Sequence, residues 1–298
     1  MIVSHKNRFI FFKPMKVGGS SIEVALIPFC GERDLITGTG YAEEASSLEY
    51  DYLSRNSQEK ISLFGNEATE YLLHCKEIGV LTHPPITEEV LRTTKSVECF
   101  KEIFHAHATP RLFAERESDF LECNDYYKFT VARNPWDMMV SYYWWCYSDY
   151  EPAISVEGVE IVSSRAENTK WMRPNKDDSQ RTLMIKFSAF LKIVSVMDGP
   201  YGRQEDVNVL DWMSRFTSEF YEDDYMNLVL RFESLQSDFN SVCDELSIQR
   251  TKLPHLKSSI RKKKLHYSRY YTERSRDKVA AAFLPVIQKF NYSFKDPA

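Results

Sequence analysis

The chain has 298 residues, of which 43% are hydrophobic, enough for a substantial core in one large α/β domain or two smaller ones. The net charge of −5 argues against bulk nucleic-acid binding, and no apolar run approaches the length of a membrane-spanning helix. The six cysteines form no Cys-x-x-Cys pair and no His/Cys spacing suited to zinc, so we expect reduced thiols and no metal site.

The first predicted strand, Phe9 to Phe12, runs into a glycine turn and then into a predicted helix over 21–27. Gly18 and Gly19 in the turn allow the backbone to approach a ligand closely, because neither residue carries a side chain. A strand that passes through a glycine turn into a helix is typical of a phosphate or sulfate site, since the first helical turn presents N–H groups to the ligand.

Charged and capping residues strengthen this prediction. Lys13 and Lys16 add positive charge, and Ser20 with Glu23 forms a capping-box pattern at the start of the helix. A nucleoside-triphosphate P-loop requires its lysine after the last glycine of Gly-x-x-x-x-Gly-Lys-Ser/Thr, but here Lys16 comes before Gly18. The segment therefore predicts an anion site that differs from an ATP-binding loop.

The second informative segment begins with a predicted strand over 128–132, which is followed by a predicted helix over 135–147. Asn134 can cap this helix, and Pro135 is preorganised at its first position. Asp137 lies in the first turn, where its negative charge complements the helix dipole.

Arg133 stands at the carboxyl end of that strand, where an ATPase would carry the aspartate that binds magnesium. Ser141 follows Asn134 by two helical turns and so lies on the same helix face. An arginine fork and a hydroxyl that face one crevice suit a phosphate monoester. These residues favour an anionic donor that is bound without a metal.

Further strand and helix patterns continue this order. A strand is predicted over 227–232, and helices over 206–220 and 238–246. Residues 273–290 have the pattern of a final amphipathic helix that Pro285 can kink. Repeated strand and helix predict an α/β fold with a central parallel sheet flanked by helices, whose ligands bind where strands end and helices begin.

Two segments resemble the two cofactor signatures of the sulfotransferases: Lys-Pro-Met-Lys-Val-Gly-Gly-Ser-Ser at 13–21 and Val-Ala-Arg-Asn-Pro-Trp-Asp-Met-Met-Val-Ser at 131–141. The resemblance implies 3′-phosphoadenosine 5′-phosphosulfate as donor, 3′,5′-bisphosphoadenosine as product, and no metal requirement. It assigns the 5′-phosphosulfate to the first signature and the 3′-phosphate to the second. The predicted donor-binding residues are Lys13, Lys16, Val17, Gly18, Gly19, Ser20, Ser21, Arg133, Ser141 and Arg261.

The resemblance also implies a P-loop-NTPase-like sulfotransferase fold in a single domain over residues 1–298. No resemblance is identified for segments 31–100 and 146–205, and we expect them to be insertions that determine acceptor specificity. The basic run Arg261-Lys-Lys-Lys264 comes just before Tyr267 and is interpreted as a lid over the nucleotide phosphate.

Two catalytic residues are predicted, Lys16 and His107. The ammonium group of Lys16 is suited to stabilise charge on the leaving 5′-phosphate. The segment Phe104-His-Ala-His-Ala-Thr109 resembles the one that carries the catalytic histidine in the uronyl 2-O-sulfotransferases, with His107 at the matching position. An imidazole can accept the hydroxyl proton near neutral pH, and His105 stays open as the second candidate for this base.

Alternatives from other classes are a small-molecule kinase and a non-catalytic nucleotide-binding module with the same fold. For the enzyme, a saccharide hydroxyl is the first acceptor hypothesis, because the histidine segment resembles the carbohydrate-modifying branch, and a small hydroxylated metabolite is the second. We expect neither nucleic acid nor membrane as a partner, and a cytoplasmic location, since no signal peptide pattern is present. The sequence indicates neither an oligomeric state nor the residues that hold the adenine.

Overall fold

A computed structural model of the chain describes residues 1–31, 34–36, 107–114, 123–147, 167–198, 204–221, 225–256, 258 and 260–296. The chain divides into two compact units, each built from separate stretches of sequence. The first unit consists of residues 1–131 and 222–256, and the second of residues 132–221 and 257–298. The prediction of a single domain stays a prediction.

Seven strands are described: β1 Ile2–Ser4, β2 Phe9–Phe11, β3 Leu35–Ile36, β4 Tyr127–Ala132, β5 Val194–Asp198, β6 Gln204–Asn208 and β7 Leu228–Arg231. The longer described helices are α1 Gly19–Leu26, α2 Pro135–Cys146, α3 Gln180–Phe190, α4 Val209–Ser218, α5 Leu235–Glu245, α6 Glu273–Ala282 and α7 Leu284–Phe290. The predicted α/β fold class is confirmed.

The central sheet has five strands in the order β3-β1-β2-β4-β7. Strands β2 and β4, which precede the two signatures, are parallel, with Phe9 opposite Tyr127 and Phe11 opposite Phe129. Strand β1 is antiparallel to both β2 and β3, so the sheet is parallel at its signature-bearing pair and antiparallel toward one edge. Strands β1 and β3 were not predicted, because two or three residues carry no readable alternation; the equally short β2 was predicted from the glycine turn and helix that follow it.

Aromatic side chains fill the core of the first unit on both faces of β2. Phe11 stacks on Phe129 at a centroid distance of 5.1 Å, and Phe12 meets the edge of Phe113 at 5.6 Å. All four rings are fully buried. Burial of rings this large stabilises the sheet strongly and fixes the point at which β2 ends and the first signature begins.

The second unit contains α2, α3, α4, α6, α7 and the antiparallel hairpin of β5 and β6. In its core, α2 packs against α3: the ring centroid of Tyr143 lies 5.4 Å from that of Phe187 and 5.0 Å from that of Phe190. Helix α3 falls within the predicted insertion 146–205, so part of that segment builds the core of the unit. Segment 37–100 lies outside the described residues.

Two helix predictions in the second unit need correction. The helix predicted over 206–220 begins only at Val209, because Asn208 ends β6 and caps α4 by accepting a hydrogen bond from the Leu210 N–H. The helix predicted over 273–290 is divided at Phe283, and Pro285 lies in the first turn of α7.

Within the stretches that the structure describes, no helix is long and apolar enough to cross a membrane.

Candidate functional site

The loop between β2 and α1 has two residues with left-handed backbone conformation, Lys16 at φ 62° and Gly18 at φ 81°. Such turns direct successive N–H groups toward one point, which forms an anion-binding concavity. Gly18 is the N-cap of α1, and it provides no side-chain cap. The predicted capping box of Ser20 and Glu23 is therefore wrong: the helix begins at Gly19, and Glu23 makes a different contact.

Both glycines make room for protein atoms. A Cβ at Gly18 would lie 3.1 Å from side-chain carbons of Leu235 and Phe232, and a Cβ at Gly19 would lie 2.3 Å from Cγ of Lys13. From the sequence, both glycines were expected only to let a ligand approach the backbone closely. The structure adds a packing reason, since any side chain at Gly19 would displace Lys13.

Lys13 is buried, with 3% of its surface exposed, and its Nζ donates to Oε2 of the fully buried Glu23 at 2.5 Å. The N-terminal amine of Met1 donates to the other oxygen of Glu23 at 2.9 Å, and burial lowers the pKa of this amine to about 5. The ammonium group of Lys13 is therefore held inside the first unit. Lys16, also predicted to bind the donor, is half-buried in the loop itself.

His107 lies beside the first signature. Its Nδ1 is 2.7 Å from the carbonyl oxygen of Lys13. A carbonyl oxygen only accepts hydrogen bonds, so Nδ1 carries the proton, and Nε2 of the neutral ring is the atom with a lone pair. His105 lies outside the described residues.

In the second unit, Arg133 and Arg261 share one carboxylate. Nε and Nη2 of Arg133 donate to Oδ2 of Asp137 at 3.1 and 2.6 Å, and Nη1 of Arg261 donates to Oδ1 at 3.1 Å. Burial alone would raise the pKa of Asp137, but the two guanidinium groups outweigh burial and hold this pKa below its usual value. These three described side chains carry two positive charges and one negative charge, a balance that suits an anion site.

The start of α2 agrees with the prediction. The side chain of Asn134 accepts from the N–H of Trp136 at 3.0 Å, and Pro135 occupies the first turn. The C-terminal segment supports the same turn, because Asn134 donates to the carbonyl of Ser293 at 3.2 Å and Tyr271 donates to the carbonyl of Trp136 at 2.9 Å. Ser141 lies on α2 and is half-buried.

The basic run at 261–264 is fixed by the aromatic residues that follow it. The guanidinium of Arg261 lies 5.2 Å from the ring centroid of Tyr270, and the hydroxyl of Tyr270 donates to the carbonyl of Lys263 at 3.1 Å. Trp144 in turn donates to that hydroxyl at 3.0 Å. Arg261 is thereby held against Asp137, a contact between residues 124 positions apart that no local pattern indicates.

Four buried thiols are described, Cys30, Cys123, Cys146 and Cys243. Across the same part of the chain, no group of three or more histidine, cysteine, aspartate or glutamate residues could hold a metal ion.

Comparison with known proteins gives one family. A family model described as the sulfotransferase family matches residues 1–290, which include both signatures, His107 and Arg261. No curated protein and no solved structure matches the chain.

Proposed function

The chain belongs to the sulfotransferase family and uses 3′-phosphoadenosine 5′-phosphosulfate as its sulfuryl donor, and we propose that it sulfates a saccharide hydroxyl by metal-free in-line transfer with His107 as the base. Family membership argues against the kinase and favours an active sulfotransferase over the non-catalytic module. The observation that carries the finer proposal is the 2.7 Å contact of His107 Nδ1 with the carbonyl of Lys13, because it leaves Nε2 as the atom that can accept a proton.

Two separate features of the chain suit the two anionic ends of the donor. In the first unit, the left-handed turn with Lys16 and the N-terminus of α1 suits the 5′-phosphosulfate. In the second unit, Arg133 and Arg261, which both pair with Asp137, suit the 3′-phosphate, since planar guanidinium groups match phosphate geometry. Ser141 would add a hydroxyl donor on α2.

In the proposed reaction, Nε2 of His107 takes the proton of the acceptor hydroxyl as its oxygen attacks the sulfur atom. A new oxygen–sulfur bond forms, and the bond between sulfur and the bridging 5′-phosphate oxygen breaks. The leaving group departs as 3′,5′-bisphosphoadenosine, and Lys16 stabilises the negative charge that grows on the bridging oxygen. By analogy with phosphoryl transfer, positioning and electrostatics supply most of the rate enhancement.

The acceptor proposal is tested by incubating the purified protein with donor that carries radioactive sulfur. The acceptors are neutral and uronate-containing oligosaccharides on one side, and small phenols and alcohols on the other. We expect label on an oligosaccharide, with a mass gain of one sulfuryl group. Label on the small molecules alone would support the alternative, sulfation of a hydroxylated metabolite.

A cytoplasmic location stays a prediction from sequence.

Metal independence is tested in the same assay. We expect turnover to be unchanged in excess chelator, because Lys16 and the first N–H groups of α1 provide the positive field that magnesium provides in kinases. The measurement is initial rate with and without chelator, followed by addition of magnesium or zinc. Loss of turnover that either metal restores would contradict the proposal.

A further inference from the structure

Lys13 makes three contacts in the first unit that meet at the end of β2. Its ammonium group is paired with Glu23 on α1, its aliphatic stem lies against Gly19, and its carbonyl oxygen accepts from His107. One residue thus links the first signature, the helix after it and the proposed base.

The burial of this ion pair argues against donor contact by Lys13. The side chains of Lys13 and Glu23 are 4% and 0% exposed. If the ammonium turned outward to the 5′-phosphosulfate, Glu23 would keep only the N-terminal amine of Met1 as a partner. Burial lowers the pKa of that amine to about 5, so near neutral pH the buried carboxylate would have no charged partner, which is strongly unfavourable. The stem is also held in place, since its Cγ occupies the space where Gly19 would carry a side chain.

We propose that Lys13 and Glu23 are positioning residues, which hold the first-signature loop and orient His107, and that the Lys13 ammonium does not bind the donor. The inference rests on the proposed function, since it concerns the loop and base of that reaction. It reassigns the predicted donor-binding role of Lys13 and leaves that role to Lys16.

Three variants test this proposal: Lys13→Met, Glu23→Gln and the double variant. Methionine keeps an unbranched stem beneath Gly19, and glutamine keeps an oxygen that can accept from the N-terminal amine of Met1. Because the Met1 amine is neutral near neutral pH, each single variant leaves one buried charge without a charged partner, whereas the double variant leaves neither. We therefore expect kcat to fall at least tenfold in each single variant and to recover most of that loss in the double variant.

Two further readouts separate positioning from donor binding and from general stability. Affinity for 3′,5′-bisphosphoadenosine should be close to that of the parent in the double variant. The acidic limb of the kcat/KM profile against pH should move to higher pH in Lys13→Met, because the remaining negative charge favours protonation of His107. It should move to lower pH in Glu23→Gln, where the remaining positive charge disfavours protonation, and return to the parent position in the double variant. A donor-binding role predicts instead that the double variant binds this nucleotide as weakly as Lys13→Met does, and that result would overturn the proposal.

Lys128 provides the matched control, as a buried lysine of the same unit whose Nζ donates to the carbonyls of Cys123 and Asn124 at 2.9 and 2.7 Å. Lys128→Met should lower Tm without moving the acidic limb. If Lys13→Met also changes only Tm, the pair is merely structural and the proposal fails. Unfolding and nucleotide affinity need no acceptor, so they test the pair even where the proposed acceptor proves wrong.

Discussion

Replacement of His107 by alanine is expected to lower kcat about a hundredfold or more, while affinity for 3′,5′-bisphosphoadenosine stays nearly unchanged. A general base acts on the acceptor proton in the chemical step, so its removal affects turnover and leaves nucleotide binding intact. The measurement combines initial rates at saturating donor with calorimetric titration of the nucleotide. Below the pH at which the imidazole becomes protonated, parent activity should fall, and the remaining activity of His107→Ala should lack that limb.

His5 offers a matched control in the same unit, because its Nδ1 lies 2.8 Å from the hydroxyl of Tyr126 and it belongs to neither signature. His5→Ala should change kcat far less than His107→Ala. Equal activity of His107→Ala and parent would move the role of base to His105 or elsewhere. The double variant of His105 and His107 then decides between those possibilities.

Local patterns explain why both signatures could be predicted from the sequence. The strand before each signature was placed within one residue of its observed ends, since each is a short apolar run bounded by a turn. The cap at Asn134 and the proline after it were likewise predicted correctly, because capping depends on residues that adjoin the helix. Strand followed by helix, read twice, was sufficient for the α/β class.

Contacts between distant residues were not predictable in this way. Glu23 was assigned to a cap by its spacing from Ser20, but tertiary contact places it against Lys13, ten residues away. Asp137 was assigned to the helix dipole alone, and its pairing with Arg261 spans 124 residues. In the first case a fully buried carboxylate and in the second a half-buried one pairs with a cation that local spacing does not identify. Desolvation of the carboxylate favours such pairing.

The carboxylate of Asp137 bears on how the second signature binds an anion. Its pKa lies below its usual value despite burial, because Arg133 and Arg261 both stabilise the charged form. A depressed pKa in the folded state means that this pairing stabilises the protein above the unfolded-state pKa of an aspartate and is lost as pH falls through the folded-state value. Near neutral pH, Asp137 is therefore charged and keeps both guanidinium groups together.

Exposed arginine offers the control for a test of this site. Arg250 pairs with Asp244 in the first unit, and the Arg250 side chain is 62% exposed. An exposed pair of this kind contributes little to stability, and we expect it to contribute nothing to nucleotide binding. Arg250→Ala should leave affinity for 3′,5′-bisphosphoadenosine unchanged. Asp137→Asn should weaken that affinity less than loss of an arginine, since both guanidinium groups remain.

If Arg133 binds the 3′-phosphate, the parent should bind 3′,5′-bisphosphoadenosine far more tightly than adenosine 5′-monophosphate, and Arg133→Ala should remove most of that preference. A hydrogen bond to a charged group contributes roughly 1.5–3 kcal/mol, so loss of the arginine fork should weaken binding at least tenfold. Arg133→Lys should recover only part of the loss, because an ammonium group cannot provide two parallel donors. Calorimetric titration of both nucleotides against the parent and the two variants measures these differences. If the parent protein binds the two nucleotides with equal affinity, the assignment of the 3′-phosphate to Arg133 is wrong.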